Sequence, residues 1–174
     1  MMIKSIKKRR QKFLLNDIQL VAYDFDGVLT DNKVILREDG VESVIVNRSD
    51  GLAINIIKGI GIKQIIVTTE TNKVVEMRAI KLDIPIIKGV NKKKESIISF
   101  CNKNNIKLNK VIYIGNDIND LEIMKIVGYP ICPSDAYEEV KRISKIILKS
   151  KGGDGVVREL LKYIKLDLLN NWAI

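Results

Sequence analysis

Short apolar runs alternate with helix-forming segments along this 174-residue chain, and that order restricts the fold more than any other feature. The runs of strand length are IQLVAY (18–23), QIIVT (64–68), DIPII (83–87), VIYIG (111–115), YPICP (129–133) and SKIIL (144–148). Segments with helical spacing cover 50–60, 71–82, 92–104, 120–127, 135–143 and about 155–169. Strands that are apolar throughout are typical of a parallel sheet with helices on both faces. The sequence therefore predicts a three-layer, Rossmann-like α/β fold.

One segment departs from this alternation. KVILREDGVESVIV (33–46) contains two short strand-like stretches around Asp39-Gly40, which is a strong hairpin signal. We expect a small β-hairpin flap, and the chain length leaves no room for a large cap domain. The predicted organisation is a basic leader at 1–17, one folded domain at 18–169 and a short tail at 170–174.

The chain contains no histidine, which excludes Ser–His–Asp and Cys–His nucleophilic systems and imidazole general bases. The two cysteines, Cys101 and Cys132, form no metal-binding motif and are expected to be ordinary buried thiols. No apolar run approaches the roughly 20 residues that span a bilayer, and the N-terminus lacks the apolar core of a secretory signal. We therefore expect a cytoplasmic protein.

The formal net charge of +9 has several possible meanings, among them nucleic acid, anionic lipid or acidic small-molecule partners. The lysines are spread along the whole chain instead of forming one stripe, except at Lys7, Lys8, Arg9 and Arg10. We favour a compositional bias with solvated faces as the explanation, with a functional use of the charge as the alternative. We predict a small-molecule substrate and no nucleic-acid or membrane partner.

Acidic residues follow two of the predicted strands. Asp24 and Asp26 end the first strand, and Asn116-Asp117 with Asp120 follow VIYIG. Ligands of doubly wound sheets bind at the carboxyl ends of the strands, so these side chains should meet at one rim. Uncompensated carboxylates would raise each other's pKa, and a divalent cation removes that penalty. Mg²⁺ suits a site with few carboxylates that retains waters.

Two further features complete a phosphoryl-transfer set. Thr68 ends another strand, and its hydroxyl can bind a phosphoryl oxygen. Lys92, Lys93 and Lys94 open the next helix, and one of these ammonium groups can reach the same rim. A nucleophilic carboxylate, a second carboxylate, a hydroxyl, a lysine and metal-binding acids fit phosphoryl transfer through an aspartyl-phosphate.

These residues stand in a recognisable order: DFDGVLTD, VTTE, a lysine after a KGV turn, and GNDINDLEIM. The order resembles the haloacid dehalogenase-like phosphohydrolases over about 18–168. NRSDGLAINIIKGIGIK, ETNKVVEMRAIKLDI, PSDAYEEV and KGGDGVVREL strengthen a resemblance to the capless branch. That branch contains 3-deoxy-D-manno-octulosonate 8-phosphate phosphatases, nonulosonate 9-phosphate phosphatases and a domain fused to some acylneuraminate cytidylyltransferases.

The resemblance implies a role for each matching residue. Asp24 is the nucleophile, and Asp26 is the general acid–base whose backbone carbonyl is usually a metal ligand. Thr68 binds phosphate, and Lys93 falls on the motif lysine. The family often has Asp at the position of Asn116, so either Asn116 or Asp117 is the direct Mg²⁺ ligand, with a slight preference for Asn116.

The resemblance also suggests further roles around this set. Asp120 orients Lys93 or a metal-bound water and completes the predicted metal-binding group. Thr68-Thr69-Glu70, with Arg78 and Lys81 on the next helix, looks closer to the nonulosonate branch. Arg78 and Lys81 would meet a substrate carboxylate, and Glu70 would accept hydrogen bonds from sugar hydroxyls. The alternative for Arg78 and Lys81 is a solvated helix face.

The expected function is Mg²⁺-dependent hydrolysis of a phosphorylated 2-keto-3-deoxy sugar acid, either a nonulosonate 9-phosphate or an octulosonate 8-phosphate. A homotetramer with the flap at the subunit contact is expected from the resemblance. The alternative is a catalytically weak oligomerisation module associated with a cytidylyltransferase.

Overall fold

The computed structural model describes residues 13–14 and 17–165. The described strands are β1 (Phe13–Leu14), β2 (Leu20–Tyr23), β3 (Ile35–Leu36), β4 (Glu42–Ser43), β5 (Lys63–Val67), β6 (Ile86–Ile87), β7 (Val111–Ile114), β8 (Tyr129–Cys132), β9 (Ile146–Ile147) and β10 (Ile164–Lys165). The described helices are α1 (Arg48–Gly59), α2 (Lys73–Leu82), α3 (Lys93–Lys103), α4 (Leu121–Met124), α5 (Glu138–Ile143) and α6 (Val156–Leu160). The predicted tail and most of the predicted leader lie outside the described residues.

A six-stranded parallel sheet forms the centre of the domain, in the order β6-β5-β2-β7-β8-β9. Alternate residues of each strand point to opposite faces. Val21 and Tyr23 therefore pack into the core layer that contains α1, α2 and α6. Leu20 and Ala22 pack into the layer formed by α3, α4 and α5. The predicted three-layer fold is confirmed.

The predicted hairpin flap is also confirmed. β3 and β4 pair antiparallel, and Gly40 takes a φ of 79° in the connecting turn. A backbone bridge between Thr30 and Val46 closes the base of the flap. Its apolar side chains are exposed to an unusual degree, namely Val34, Ile35, Leu36, Val41 and Ile45.

Two local predictions were wrong. The last helix was expected at about 155–169, but α6 ends at Leu160, and β10 then pairs in parallel with β1. On α2, Met77 was expected in the apolar stripe, yet 46% of it is exposed, whereas Arg78 is 9% exposed. The helical period defines faces but does not tell which of two adjacent residues meets the neighbouring α1 and its N-terminal loop.

Cys101 and Cys132 are buried free thiols, as expected. Among the described helices, none is long and apolar enough to cross a membrane.

Candidate active site

Three neighbouring strands end at the same level and bring the predicted residues together. Tyr23 at the end of β2 is in register with Ile66 of β5 and Ile114 of β7. The residues that follow these strands, Asp24, Thr68 and Asn116, consequently lie at one edge of the sheet and line the same cavity. Parallel pairing alone produces this convergence, as the sequence predicted.

Lys93 lies at the start of α3 and is buried behind Asp24. Its Nζ is 2.7 Å from Asp24 Oδ2 and donates to Asp120 Oδ1 at 2.8 Å. Burial lowers the pKa of Lys93, but the negative charges of Asp24 and Asp120 outweigh it, so the net shift is upward. The lysine is therefore a permanent cation. Of the three candidate lysines, the structure brings Lys93 to the site, and Lys92 is exposed.

Asp24 itself occupies a strongly polarised position. Burial raises its pKa well above the ordinary value, and the charge of Asp120 adds to this shift. The Lys93 ammonium and the backbone N–H of Phe25, which donates to Asp24 Oδ1 at 2.7 Å, act in the opposite direction. A further positive charge at this rim would favour the carboxylate form that a nucleophile needs.

Asp120 is completely buried and accepts four hydrogen bonds. Its Oδ1 receives them from Lys93 and from the hydroxyl of Tyr113, the latter at 2.7 Å. Its Oδ2 receives them from the backbone N–H groups of Asn116 at 2.9 Å and Asp117 at 3.3 Å. Asp120 therefore holds in place both Lys93 and the loop that contains Asn116 and Asp117. Direct metal coordination by the Asp120 side chain stays a prediction.

Asp26 lies two residues beyond Asp24 in a single helical turn that Leu29 N–H and Thr30 N–H close on the carbonyl of Phe25. Burial raises the pKa of Asp26, and the charge of Glu70 adds to the rise. The Thr30 hydroxyl donates to Asp26 Oδ1 at 3.3 Å and acts against this shift. A half-buried carboxyl with a raised pKa suits a group that must carry a proton.

The donor atoms at the rim fit a magnesium ion that keeps several waters. Asn116 is buried, and its Oδ1 has no hydrogen-bond partner within the described part of the chain. Gly27 packs so closely that a Cβ there would lie 2.0 Å from Asn116 Nδ2, which fixes the amide. Nowhere in residues 17–165 do three His, Cys, Asp or Glu side chains converge on one metal position. The ligands available to a magnesium ion are therefore the Asp24 carboxylate, a side-chain oxygen of Asn116 or Asp117, and backbone carbonyls.

The cavity above these atoms has a volume of about 350 Å³. Its charged lining is entirely acidic within the described residues and consists of Asp24, Asp26, Glu42, Glu70 and Asp117. Thr68 also lines it, and the Thr68 Oγ1 accepts a hydrogen bond from the Glu70 N–H at 3.0 Å, so the hydroxyl proton remains available for an anion. Glu70, predicted to contact substrate, is exposed at the mouth.

Sequence reasoning missed the closure of the cavity by the flap. Asn72 caps α2 by accepting from Val74 N–H, and its Nδ2 donates to Glu42 Oε2 on β4 at 2.7 Å. This bond joins the flap to α2 across the mouth. Asn72 in ETN was a recognisable cap signal, but its flap partner lies 30 residues away and nothing local marks it.

Arg78 and Lys81 do not line this cavity in one chain. Together with Arg48 they line a separate depression beside α1. Arg78 donates from Nη2 to the carbonyl of Asn47 at 2.9 Å, and burial lowers its pKa while the charge of Asp50 opposes that shift. The predicted contact of these two residues with the substrate therefore requires a second subunit.

The sequence matches the family model described as haloacid dehalogenase-like hydrolase over residues 62–160, more than half of the chain. The chain belongs to this family. The fold, the acidic strand ends and the buried lysine described above agree with that assignment.

The chain is also similar to individual proteins of known activity. The chain is 29% identical to the 3-deoxy-D-manno-octulosonate 8-phosphate phosphatase KdsC of Escherichia coli K12, covering 86% of this chain and 80% of that protein. It is 26% identical to N-acylneuraminate cytidylyltransferase A of Danio rerio, covering 86% of this chain but 35% of that protein.

Solved structures show the same relationship. A haloacid dehalogenase family hydrolase from Streptomyces avermitilis is 37% identical, with a TM-score of 0.86 and coverage of 88% of this chain and 94% of that one. The 3-deoxy-D-manno-octulosonate 8-phosphate phosphatase of Moraxella catarrhalis, in complex with magnesium, phosphate and KDO, is 32% identical, with a TM-score of 0.82 and coverage of 86% and 89%. The chain is a phosphatase.

Proposed function

We propose that this chain is a Mg²⁺-dependent phosphomonoesterase acting on a phosphorylated 2-keto-3-deoxy sugar acid. The substrate is a nonulosonate 9-phosphate or 3-deoxy-D-manno-octulosonate 8-phosphate, which places the reaction in surface-polysaccharide or sialic acid synthesis. The observation that carries the proposal is the Asp24–Lys93–Asp120 arrangement beneath an open cavity, with Thr68 and Asp26 on its wall.

In the first half-reaction the phosphate lies over Asp24 and accepts a hydrogen bond from the Thr68 hydroxyl, with the Lys93 ammonium behind the Asp24 carboxylate. A carboxylate oxygen of Asp24 attacks phosphorus, and the bond from phosphorus to the sugar oxygen breaks. Asp26 donates its proton to the departing oxygen, which leaves as an alcohol. The upward shift of the Asp26 pKa supports this role because it makes the protonated form easier to reach.

In the second half-reaction Asp26, now a carboxylate, accepts a proton from water. The water oxygen attacks phosphorus and the bond from phosphorus to Asp24 breaks. Inorganic phosphate leaves, Asp24 is again a carboxylate and Asp26 again carries its proton. Lys93 keeps its proton throughout, and its single charge offsets part of the negative charge of Asp24 and Asp120.

Bound Mg²⁺ supplies positive charge that lowers the repulsion between Asp24 and the phosphate dianion. The Asp24 carboxylate, the Asp26 backbone carbonyl and an oxygen of Asn116 or Asp117 would hold the ion. The partnerless Asn116 Oδ1 supports Asn116 in this role.

The substrate's carboxylate needs a cation that the cavity of one chain does not offer, since its charged lining is acidic in the described residues. We assign this positive charge to Arg78 and Lys81 of a neighbouring subunit. Glu70 accepts hydrogen bonds from the sugar hydroxyls. A homotetramer built through the exposed flap would bring that depression toward the cavity.

The test is phosphate release from N-acetylneuraminate 9-phosphate, KDN 9-phosphate and 3-deoxy-D-manno-octulosonate 8-phosphate, with glucose 6-phosphate as the neutral-sugar control. We expect a kcat/KM for one sugar acid phosphate at least 100-fold above that for glucose 6-phosphate, and loss of turnover on chelation of divalent ions. Equal rates on all four compounds would refute the substrate class, and full activity without divalent ions would refute the metal requirement.

A second candidate is a catalytically weak oligomerisation module. The similarity to part of a cytidylyltransferase and the Asn at position 116 favour it. The intact Asp24, Asp26, Thr68 and Lys93 favour catalysis. Absence of turnover on all sugar acid phosphates with Mg²⁺, in a folded tetramer, would support the module instead.

A further inference from the structure

Tyr113 is a buried residue that the proposed reaction does not use directly. It lies in the middle of the sheet on β7, with no exposed surface, and its ring packs in the layer that contains Ile97 and Cys101 of α3. Its hydroxyl donates to Asp120 Oδ1 at 2.7 Å. The same oxygen accepts from Lys93 Nζ at 2.8 Å. The tyrosine and the lysine therefore share a single carboxylate oxygen.

The hydroxyl acts only as a donor here. Burial raises the pKa of Tyr113 well above its ordinary value, and the charges of Asp120 and Asp24 raise it further, so the proton stays on the tyrosine. Each oxygen of Asp120 is thereby held by two donors, Oδ2 by backbone N–H groups and Oδ1 by Tyr113 and Lys93. Four fixed donors leave the carboxylate no freedom to rotate.

We propose that Tyr113 is a positioning residue for Lys93. By fixing the oxygen of Asp120 that Lys93 contacts, its hydroxyl holds the ammonium at a point that also reaches Asp24. Without the hydroxyl, Lys93 is the one remaining side-chain donor to Asp120 Oδ1 among the described residues. The Asp120 carboxylate then turns toward the Lys93 ammonium. The lysine then moves away from Asp24 and from the phosphate. The inference rests on the proposed function for its effect on turnover, but not for the geometry itself.

A matched pair of variants isolates this role. Tyr113→Phe removes the hydroxyl and keeps the ring. Tyr23→Phe makes the same change in the adjacent strand, where an equally buried tyrosine donates to Gln64 Oε1 at 2.8 Å on the opposite face of the sheet. Both variants lose one buried hydrogen bond, so we expect similar decreases in melting temperature. We expect kcat to fall about tenfold in Tyr113→Phe with KM within about threefold, and to stay within twofold of wild type in Tyr23→Phe.

Repeating the Tyr113→Phe substitution in an Asp120→Asn variant tests whether the loss of kcat acts through Asp120 or through a general disturbance of the fold. In Asp120→Asn, adding Tyr113→Phe should lower kcat by less than a further twofold, because contacts in one network are not additive. An equal tenfold loss in both backgrounds, or no loss in the single variant, would overturn the proposal.

One measurement does not depend on turnover. The ¹⁵Nζ resonance of Lys93, observable for a buried ammonium with slow proton exchange, should shift in Tyr113→Phe and not in Tyr23→Phe. An unchanged resonance would refute the positioning role even if the proposed function holds. A shifted resonance in a protein that hydrolyses no phosphomonoester would support the positioning role and refute the proposed function.

Discussion

The ammonium of Lys93 lies 2.7 Å from Oδ2 of Asp24, and both side chains are more than nine-tenths buried. Burying a charge without a partner is costly, so Lys93 needs at least one of its two carboxylate partners, Asp24 or Asp120, for the stability of the fold. Two carboxylates share one ammonium here, which leaves the site one positive charge short.

Replacing Asp24 with Asn should abolish turnover without unfolding the protein. The amide cannot attack phosphorus, and the change removes the repulsion between Asp24 and Asp120. We expect at least a 1,000-fold loss of kcat, about 4 kcal/mol in activation free energy. The melting temperature should be unchanged or higher. Asp31→Asn, outside the cavity lining, is the control, and retained turnover in Asp24→Asn would exclude it as the nucleophile.

Replacing Lys93 with Met should both stop turnover and destabilise the fold. Asp24 and Asp120 would remain buried with no counter-charge, and breaking a buried pair costs about 3–5 kcal/mol. Urea denaturation followed by circular dichroism measures this loss. Lys92→Met, at an exposed neighbouring position, should change neither quantity. Equal effects at 92 and 93 would contradict the assignment of the lysine.

The positions of Asp24, Thr68 and Asn116 could be predicted because parallel strands of similar length end at one edge, whatever the side chains are. The contact of Asp120 with Lys93 was expected only through the family resemblance, as one of two alternatives, and the contacts of Asp120 do not follow from strand order. They require knowledge of where α3 crosses the sheet, since Lys93 precedes Asp120 by 27 residues. Tyr113 did carry a weak signal, because a tyrosine in an otherwise aliphatic buried strand needs a partner for its hydroxyl.

The surroundings of Arg78 could not be predicted from the sequence. The family resemblance suggested that Arg78 contacts the substrate, but in the single chain it donates to the carbonyl of Asn47. A substrate contact across a subunit interface, which we propose for Arg78, cannot be predicted from the order of strands and helices. The flap was predicted from Asp39-Gly40, but the hydrogen bond from Asn72 to Glu42 on the flap was not.

Glu159 should make stability depend on pH. Burial raises its pKa, but the N–H groups of Lys149 and Ser150 and the Ser150 hydroxyl donate to Oε2, and the net shift is downward. A lowered pKa in the folded state means that the stabilisation is complete above the unfolded value of about 4.3 and is lost as pH falls through the folded value.

Glu159→Gln should therefore lower the free energy of unfolding by about 1–3 kcal/mol at pH 7 and less in acid. Urea denaturation from pH 7 to pH 3 tests this, with the exposed Glu122→Gln as the control. A difference between wild type and Glu159→Gln that stays constant across this range would contradict the prediction.

Gly152 should tolerate no side chain because it packs directly against the backbone of Gly27, in the turn that follows Asp26. A Cβ at this position would lie 2.3 Å from the carbonyl oxygen of Gly27, and the adjacent Gly153 N–H donates to the carbonyl of Val28. Gly152→Ala should lower the melting temperature by several degrees and kcat by about tenfold or more. Gly59→Ala, where a Cβ meets nothing within 4 Å, should be neutral or slightly stabilising. Similar behaviour of the two variants would contradict the role of the close approach.

The flap should mediate assembly. Ile35 and Leu36 are 59% and 66% exposed, and fully burying such a side chain stabilises by about 1.5–3 kcal/mol, so several of them repeated in each subunit can hold a tetramer. Light scattering of the wild type should give four times the 19.7 kDa chain mass. The double variant Ile35→Glu with Leu36→Glu should give a smaller species. Ile147→Glu, on the outer strand β9, should remain tetrameric.

If a neighbour supplies Arg78 and Lys81, the smaller species should show a KM raised at least tenfold for the sugar acid phosphate. Its KM for glucose 6-phosphate should stay unchanged, because that substrate carries no carboxylate, and a parallel rise in both values would place these residues away from the substrate.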